Sequence, residues 1–362
     1  MNPDILNKFF ILGRPFSPIY SLFMHLRRSA YSNGLLKAKK LEGFTISVGN
    51  ITLGGTGKSP LVAEIARFFS KKGEKIAILS RGYGGRAGKG PILVNKHGKI
   101  ITSYKICGDE PYMLAQKLKD IPIIVGSDRY KCGVFAKNRF GTTIFILDDG
   151  FQHIKIKRDL DIVLVSAPSI SFNEKVFPGG TLREDFSALT SASLMVITKI
   201  NEVSIQKVEI IKKQLKKLSG EKPIFLSSYN TELVHFPIKN RSKRLKDIKD
   251  KVFAFCGLAE PNSFYNLLKQ NDIKISGMMN FKDHYSYKDH DLKKIYKSAK
   301  KSGAKYILTT EKDIVKIKPS KWKGLDPFGN LGTLVLSTKV EAPFWTFLEH
   351  VFSKYKNNKV NN

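Results

Sequence analysis

The sequence predicts an α/β protein with a doubly wound parallel sheet and a second, smaller α/β domain. Buried-strand patterns alternate with helical patterns from about residue 44 to residue 227, as in a parallel sheet covered by helices. An apolar run at 44–48 leads through a glycine-rich turn into a helical pattern that starts at Pro60. A second alternation starts after residue 250 of the 362, and a chain of this length can form two cores.

The glycine-rich turn, Gly49–Pro60, predicts a site for nucleotide phosphates and makes the fold P-loop NTPase-like. Its glycines let backbone N–H groups converge on phosphate oxygens, and the helix N-terminus adds its dipole. We predict that Lys58 reaches the β- and γ-phosphates and that Ser59 binds Mg²⁺. The strict motif has glycine where this chain has Thr52. The predicted nucleotide-binding residues are Thr52, Leu53, Gly54, Gly55, Thr56, Gly57, Lys58 and Ser59.

The apolar run at 142–147 ends in Asp148 and Asp149, followed by Gly150. A strand-end aspartate beside a P-loop is typical of the Walker B pattern, in which it holds the Mg²⁺ shell. We therefore expect Asp148 to belong to that shell. A simple strand-to-turn Asp-Asp-Gly is the alternative for this segment.

Other residues carry weaker signals. The loop at 81–87 formally matches a dinucleotide fingerprint, but no helical pattern follows it, so we expect it to hold substrate instead. Arg129 lies in the first turn of a predicted helix, where its charge opposes the helix dipole, and we therefore expect it to bind an anion. Asp109 is well placed to cap a helix that starts at Pro111. His284 lies in a polar loop, where a histidine is usually an exposed side chain without a functional role.

The amino-acid composition gives the chain a strongly basic net charge and indicates a reducing compartment. Lys and Arg total 62 against 31 acidic residues, a formal charge of +31, which favours an anionic partner such as nucleic acid, a phospholipid surface or a phosphorylated substrate. The three cysteines lie far apart without CxxC spacing. Free thiols in a reducing cytosol fit that pattern better than a metal cluster does.

The N-terminus is aromatic and apolar, with cations behind it at Arg27, Arg28 and 37–40. No run approaches the ~18–20 apolar residues that would span a bilayer, and the pattern is typical of an interfacial anchor. A helix packed on the core is the alternative. We divide the chain into an N-terminal membrane-associating segment at 1–30, a P-loop domain at 31–230, a basic connecting segment at 231–250 and a smaller α/β domain at 251–362.

The motifs occur in a fixed order that covers most of the chain. Together they resemble the tetraacyldisaccharide 4′-kinases of lipid A synthesis, over roughly residues 5–350. The resemblance implies transfer of the γ-phosphate of ATP, with Mg²⁺, to the 4′-hydroxyl of an acylated glucosamine disaccharide 1-phosphate. It also implies a peripheral enzyme on the cytoplasmic face of the bacterial inner membrane, in contact with an anionic membrane surface. The motifs are Ser47–Asn50 with Gly54–Pro60, Ser80–Gly85, Gly108–Pro111, Asp148–His153, Leu182–Glu184 and Thr310–Asp313.

The resemblance also implies roles for single residues. Asp109 becomes the catalytic base, with His284 from the second domain as its partner, and Lys58 neutralises charge on the γ-phosphoryl group. Ser59, Asp148 and Glu110 are the expected metal ligands, with Asp149 and Gln152 as further candidates. The candidates for gripping phosphate and sugar are Arg81, Tyr83, Arg129 and Arg183.

Two other classes of P-loop protein are alternatives to this function. A P-loop GTPase uses Asn/Thr-Lys-x-Asp to bind guanine, and Thr198–Asn201 fails that pattern at its last position. A nucleic-acid-stimulated ATPase would suit the charge. However, the sequence has no helix-turn-helix, RNA-binding aromatic or zinc signature, so we expect no nucleic acid partner.

Overall fold

The computed structural model describes residues 9–326 and 329–360. The first eight residues of the predicted membrane-associating segment and the last two of the predicted smaller domain lie outside the described residues. Residues 9–13 are helical, and short 3-10 turns occur at Arg14–Phe16, Phe186–Ser191, Ile200–Glu202 and Leu245–Asp247.

The first part of the chain alternates strands and helices, as the sequence predicts. Its elements are α1 (Ser17–Ser32), β1 (Phe44–Asn50), α2 (Lys58–Lys71), β2 (Ile76–Ser80), β3 (Ile92–Leu93), β4 (Asn95–Lys96), β5 (Lys99–Ile100), α3 (Tyr104–Cys107), α4 (Asp109–Lys117), β6 (Ile123–Val125), α5 (Arg129–Phe140), β7 (Ile144–Asp148), β8 (Leu160–Ser166), β9 (Leu194–Thr198) and α6 (Ile205–Ser219).

The second part repeats the alternation and closes with a long helix. Its elements are β10 (Ile224–Phe236), β11 (Arg241–Arg244), β12 (Val252–Cys256), α7 (Pro261–Gln270), β13 (Ile275–Asn280), α8 (Asp289–Lys301), β14 (Tyr306–Thr309), α9 (Glu311–Ile314), α10 (Pro319–Lys323), β15 (Leu331–Val340) and α11 (Ala342–Val360).

One mostly parallel sheet runs through both parts in the order β13-β12-β14-β15-β10-β9-β8-β1-β7-β2-β6-β3. β1 lies between β7 and β8, and its Val48 pairs with Asp148 at the end of β7. Because the carboxyl ends of neighbouring parallel strands meet at one edge of a sheet, the P-loop and the two aspartates leave the sheet side by side. The α/β, P-loop-type fold that the sequence predicts is confirmed.

The two parts are joined by long antiparallel strands. β10 pairs with β9 over residues 224–226 and then with β15 over residues 227–235. The segment 231–250, predicted to connect two domains, therefore begins inside β10 and continues with its partner β11. The domain boundaries themselves stay a prediction.

The last helix returns to the first part of the chain. Phe344, Leu348 and Phe352 of α11 are buried in the same hydrophobic cluster as Phe44 of β1 and Phe69 of the P-loop helix α2. This packing fastens the end of the predicted smaller domain to the core of the P-loop domain.

Three local predictions were wrong in detail. α2 starts at Lys58, so Pro60 is its third residue rather than its first. Gly108, not Asp109, caps α4, because the φ of +89° there suits glycine. The runs at 91–94 and 99–103, which flank the turn-forming residues 95–98, predict a hairpin, but β4 and β5 alone form it, and β3 instead pairs with β6.

Candidate active site

The P-loop is held in shape by close contacts to other strands. Gly57, which caps α2 with a φ of +87°, has no room for a side chain because an added Cβ would lie 1.6 Å from Tyr229 Oη. The Thr56 carbonyl accepts a hydrogen bond of 2.9 Å from Thr198 at the end of β9. The loop therefore presents its backbone N–H groups in a fixed arrangement ahead of α2.

Lys58 is directed towards the strand-end carboxylates. Its Nζ donates to Asn50 Oδ1 over 3.2 Å and lies 3.5 Å from Asp149 Oδ1. Asp149 has a positive φ of 54°, and Arg183 Nη1 donates to both of its oxygens over 2.9 and 2.8 Å. Burial alone would raise the pKa of Asp149, but Lys58 and Arg183 outweigh it and hold that pKa below its ordinary value.

Asp148 is the buried member of the pair. Ser80 donates to its Oδ2 over 3.2 Å, while its Oδ1 has no hydrogen-bond partner in the described part of the chain. Burial, followed by the negative charges of Glu110 and Asp149, raises the pKa of Asp148 to about 7. Lys58 and the Ser80 hydroxyl offset these effects only in part, so this buried carboxylate, with one unsatisfied oxygen, stays short of positive charge.

That deficit is what a magnesium ion would correct. Ser59 donates to Glu110 Oε2 over 3.2 Å, and the charge of Glu110 acts on Asp148, so the three expected metal ligands are neighbours. Within residues 9–326 and 329–360 no group of three or more His, Cys, Asp or Glu side chains could hold a metal by itself. Mg²⁺ in kinases uses one or two carboxylates plus substrate phosphates and water, so the residues present fit it.

A second cluster adjoins the P-loop through Glu110, which contacts both Ser59 and Lys312, and the space between this cluster and residues 54–59 is here called the cleft. His284 Nδ1 is 2.9 Å from Asp109 Oδ2. The contact is short but poorly aligned, since this buried oxygen receives no hydrogen bond of good geometry from any described residue, as is common before substrate binds. Burial would raise the pKa of Asp109, but His284, Lys312 and Lys316 outweigh it and hold the pKa below its ordinary value.

Two lysines that were not predicted complete this cluster. Lys312 Nζ lies 3.1 Å from His284 Nε2 and 3.3 Å from Glu110 Oε1. Lys316 is buried and lies 3.7 Å from Asp109 Oδ2. Lys312 belongs to a motif already noted at 310–313, whereas no signal in the sequence points to Lys316.

The four predicted substrate residues are only partly brought together. Arg183 is engaged by Asp149, and the Tyr83 ring lies 5.4 Å from the His284 ring while remaining exposed. Arg129 is buried, donates to the Ser127 carbonyl over 3.3 Å and has no carboxylate partner among the described residues. Burial and then the charge of Arg81 lower the pKa of Arg129, so two guanidinium groups lie near each other.

Gln152, a further candidate for the metal shell, is used differently. Its amide Nε2 donates to the Asn50 carbonyl over 2.9 Å and to Glu184 Oε1 over 3.1 Å. Its side chain therefore braces the start of the P-loop. Asn50 and Glu184 are residues of this site that the sequence did not predict, although both lie inside the motifs Ser47–Asn50 and Leu182–Glu184.

Phosphoryl transfer is the chemistry that a P-loop lysine beside strand-end carboxylates supports, and the fold and site accordingly assign the chain to the P-loop nucleotide-binding phosphotransferases. Within that class the chain belongs to the family of tetraacyldisaccharide-1-P 4′-kinases, LpxK, whose family model matches residues 9–353.

Individual members of this family are similar to the chain over nearly the same length. The tetraacyldisaccharide 4′-kinase of Desulfotalea psychrophila is 40% identical over 314 residues, covering 87% of this chain and 89% of that protein. The enzyme of that name from Halothermothrix orenii is 35% identical and covers 93% of this chain and 90% of its own. The crystal structure of LpxK from Aquifex aeolicus in complex with ATP is similar with a TM-score of 0.73 and 30% identity, covering 93% and 98% of the two chains.

Proposed function

We propose that this protein transfers the γ-phosphate of ATP to the 4′-hydroxyl of the tetraacyldisaccharide 1-phosphate precursor of lipid A. The observation that carries the proposal is the family match over residues 9–353. The geometry supports it because the P-loop and the Asp109–His284 pair face the same cleft, linked by the hydrogen bond from Ser59 to Glu110.

The residues of the cleft divide the work of transfer. Lys58 and the backbone N–H groups of 54–59 bind and neutralise the phosphates of ATP, whose negative charge must be balanced in the transition state. Asp109, ionised by its cationic neighbours, accepts the proton of the attacking 4′-hydroxyl. His284 orients Asp109 and comes from the loop between β13 and α8, so both parts of the chain must meet to complete the site.

Mg²⁺ would be held by Ser59, Asp148 and Glu110. When bound it would supply positive charge that offsets the charge of the ATP phosphates and the repulsion among Asp148, Glu110 and Asp149. Arg183 keeps Asp149 in place next to Lys58. Arg81, Tyr83 and Arg129, which follow the ends of β2 and β6, would contact the sugar and phosphate groups of the acceptor.

The N-terminal helices would hold the protein on the cytoplasmic face of the inner membrane, where the acylated substrate lies. α1 uses its polar side to bind the protein: Ser17 donates to the Val176 carbonyl over 2.7 Å and Ser21 to Asp185 over 2.8 Å. Its apolar side faces outward, which is the arrangement of an interfacial anchor. No helix among the described residues is long and apolar enough to cross a membrane. The exposed apolar side chains here are Phe9, Ile11, Leu12, Phe16, Ile19, Leu22, Phe23 and Leu26.

The test is a transfer assay with the full chain, radiolabelled ATP, Mg²⁺ and the tetraacyldisaccharide 1-phosphate in neutral detergent. We expect label in the lipid product, separated by thin-layer chromatography, and no stimulation of ATP turnover by DNA. ATP turnover that responds to DNA, with no labelled lipid, would contradict the proposal.

A further inference from the structure

We propose that Arg28 and Glu184 are positioning residues for Lys58, acting through Gln152 and Asn50. This inference rests on the proposed function, because it concerns the lysine that binds the transferred phosphate. The four residues Arg28, Glu184, Gln152 and Asn50, here called the positioning chain, form one continuous set of hydrogen bonds from α1 to the P-loop lysine.

The outer end of the positioning chain is a two-pronged ion pair. Arg28 Nε and Nη2 donate to the two carboxylate oxygens of Glu184 over 2.7–2.9 Å, and its guanidinium also lies 4.6 Å from the centre of the Phe151 ring. Glu184 is buried, with 4% of its surface exposed. A planar fork of donors fits a carboxylate in one orientation only, so Arg28 fixes the direction of the Glu184 side chain.

The inner end reaches the catalytic lysine. Glu184 Oε1 accepts from Gln152 Nε2, the same Nε2 donates to the Asn50 carbonyl, and Asn50 Oδ1 accepts from Lys58 Nζ over 3.2 Å. Asn50 is fully buried and its Nδ2 also donates to the Thr52 carbonyl over 2.8 Å. These contacts fix the orientation of the Asn50 side chain. Asn50 therefore holds the Lys58 ammonium group in one position.

The backbone around the positioning chain is fastened in the same way. Arg183 N donates to the Ile51 carbonyl and Leu53 N to the Thr181 carbonyl, both over 2.7 Å. Residues 181–184 thus run along the start of the P-loop through an isolated antiparallel bridge between Thr52 and Leu182, with Arg183 directed to Asp149 and Glu184 to Gln152. A displacement of α1 would first move the Glu184 side chain and, through Gln152, would then move Asn50, the partner of Lys58.

The function of this arrangement is to couple the position of α1 on the protein to phosphate binding by Lys58. Small misplacements of a catalytic group lower the rate of the chemical step by up to about 10²-fold without abolishing binding. Loss of the positioning chain should therefore lower kcat more than it raises KM for ATP or for the lipid acceptor.

The experiment compares Arg28→Lys, Arg28→Ala and Glu184→Gln in the full chain, with ATP and the tetraacyldisaccharide 1-phosphate in neutral detergent. Lysine keeps the charge that compensates Glu184 but cannot form the fork, so this variant should fold and still lose activity. We expect kcat to fall roughly 10- to 100-fold in each variant. The double variant Arg28→Ala with Glu184→Gln should fall no further than the worse single one. Added methylguanidinium should restore part of kcat in Arg28→Ala and none in Glu184→Gln.

Ser21→Ala is the matched control, because it removes another hydrogen bond between α1 and the 176–191 region without touching Glu184. Folded Arg28→Lys and Glu184→Gln proteins with the kcat of Ser21→Ala would overturn the inference. A rise in acceptor KM alone would also overturn it, because α1 would then serve lipid binding and not Lys58. A wild-type protein that labels no lipid would instead refute the proposed function.

Discussion

His284 Nδ1 lies 2.9 Å from Asp109 Oδ2, and these two side chains come from the two parts of the chain. Asp109 is in the first turn of α4, and His284 lies between β13 and α8 with a positive φ of 57°. Lys312 touches both His284 and Glu110, so the pair is continuous with the expected metal ligands. One network thus contains the proposed base, its proposed partner and one of the expected metal ligands.

Replacing Asp109 with asparagine should lower kcat by about 10²–10⁴-fold, since an amide cannot accept the hydroxyl proton. A capping role would make the same substitution mild, but Gly108 is the cap, and among the described backbone N–H groups the Asp109 side chain accepts that of Glu110 alone, over 3.0 Å. The measurement is kcat at saturating ATP and acceptor for Asp109→Asn, His284→Ala and the double variant.

Asp128→Asn is the control for this prediction, because Asp128 does cap a helix, accepting the Lys131 N–H over 3.1 Å. It should retain near wild-type turnover. If Asp109 and His284 act as a unit, the double variant will be little worse than Asp109→Asn. Strictly multiplicative losses would show two independent roles, and normal turnover in Asp109→Asn would remove the base assignment.

Lys58→Ala should lower kcat by about 10²–10³-fold or more, because Lys58 faces charge that grows in the transition state. The fold should persist, since Arg183 still pairs with Asp149. Turnover, nucleotide affinity by calorimetry and the circular dichroism spectrum would be compared with those of Lys72→Ala. Lys72 lies just past the end of the same helix in a surface ion pair with Glu349, and such pairs contribute little. A folded Lys58→Ala enzyme with full turnover is incompatible with the site proposed here.

Asp148→Asn should stabilise the protein at pH 8 while removing activity. The pKa of Asp148 is raised to about 7 from an ordinary 3.8, so ionisation costs more in the folded state than in the unfolded one. Its contribution to stability is therefore complete below about pH 4 and is lost as the pH rises through about 7. Asparagine carries no such cost, and Tm without nucleotide should rise at pH 8 and change little at pH 4.

Asp149→Asn gives the opposite control, because the pKa of Asp149 is held low by Lys58 and Arg183. That substitution should lower Tm at pH 8. Magnesium should raise the Tm of the wild-type protein at pH 8 and have a smaller effect on Asp148→Asn, with chelator as the reference. Equal Tm gains for Asp148→Asn at pH 4 and pH 8 would show that the carboxylate charge is not the cause.

The features that the sequence predicted well are local ones. The P-loop and the Asp148–Asp149 pair each follow a single buried strand, and parallel pairing alone brings strand ends together. The cluster of Lys312 and Lys316 with Asp109 joins residues about 200 positions apart in the chain. These contacts depend on how the second part of the sheet packs against the first, and no local sequence pattern predicts that packing.

The basic segment after residue 230 shows a second kind of detail that composition leaves open. Its arginines and lysines predict a connection, and Arg241, Lys243 and Arg244 lie on β11, which among the described strands pairs with the end of β10 alone. Edge strands often carry lysine and arginine because charge discourages pairing with other chains. The same composition therefore serves a linker and an exposed strand equally well, and only the register with β10 separates them.

The outward face of α1 leads to the last prediction. Ile19 and Phe23 are 67% and 62% exposed although they are large and apolar, and neighbouring Leu22 and Leu26 recur at the three- and four-residue spacing of one helix face. Replacing Ile19 and Phe23 with serine should lower binding to anionic vesicles by about tenfold or more. The reason is that each buried side chain of this size contributes roughly 1.5–3 kcal/mol, and 1.4 kcal/mol is a factor of ten.

The control replaces Ile205 and Ile210 with serine, since these side chains of α6 are 79% and 61% exposed in a helix that is more basic than α1. Co-sedimentation with vesicles would be measured for both pairs at low and at high salt, because salt screens the lysines but not apolar insertion. The α1 pair should lose binding at both salt concentrations and keep its turnover in detergent, where no bilayer is needed. If the α6 pair loses as much binding as the α1 pair, general exposed apolar surface binds the membrane and α1 is not the anchor. If neither loses any, the basic surface alone attracts the protein to the bilayer, and high salt should then release wild-type and variant proteins alike.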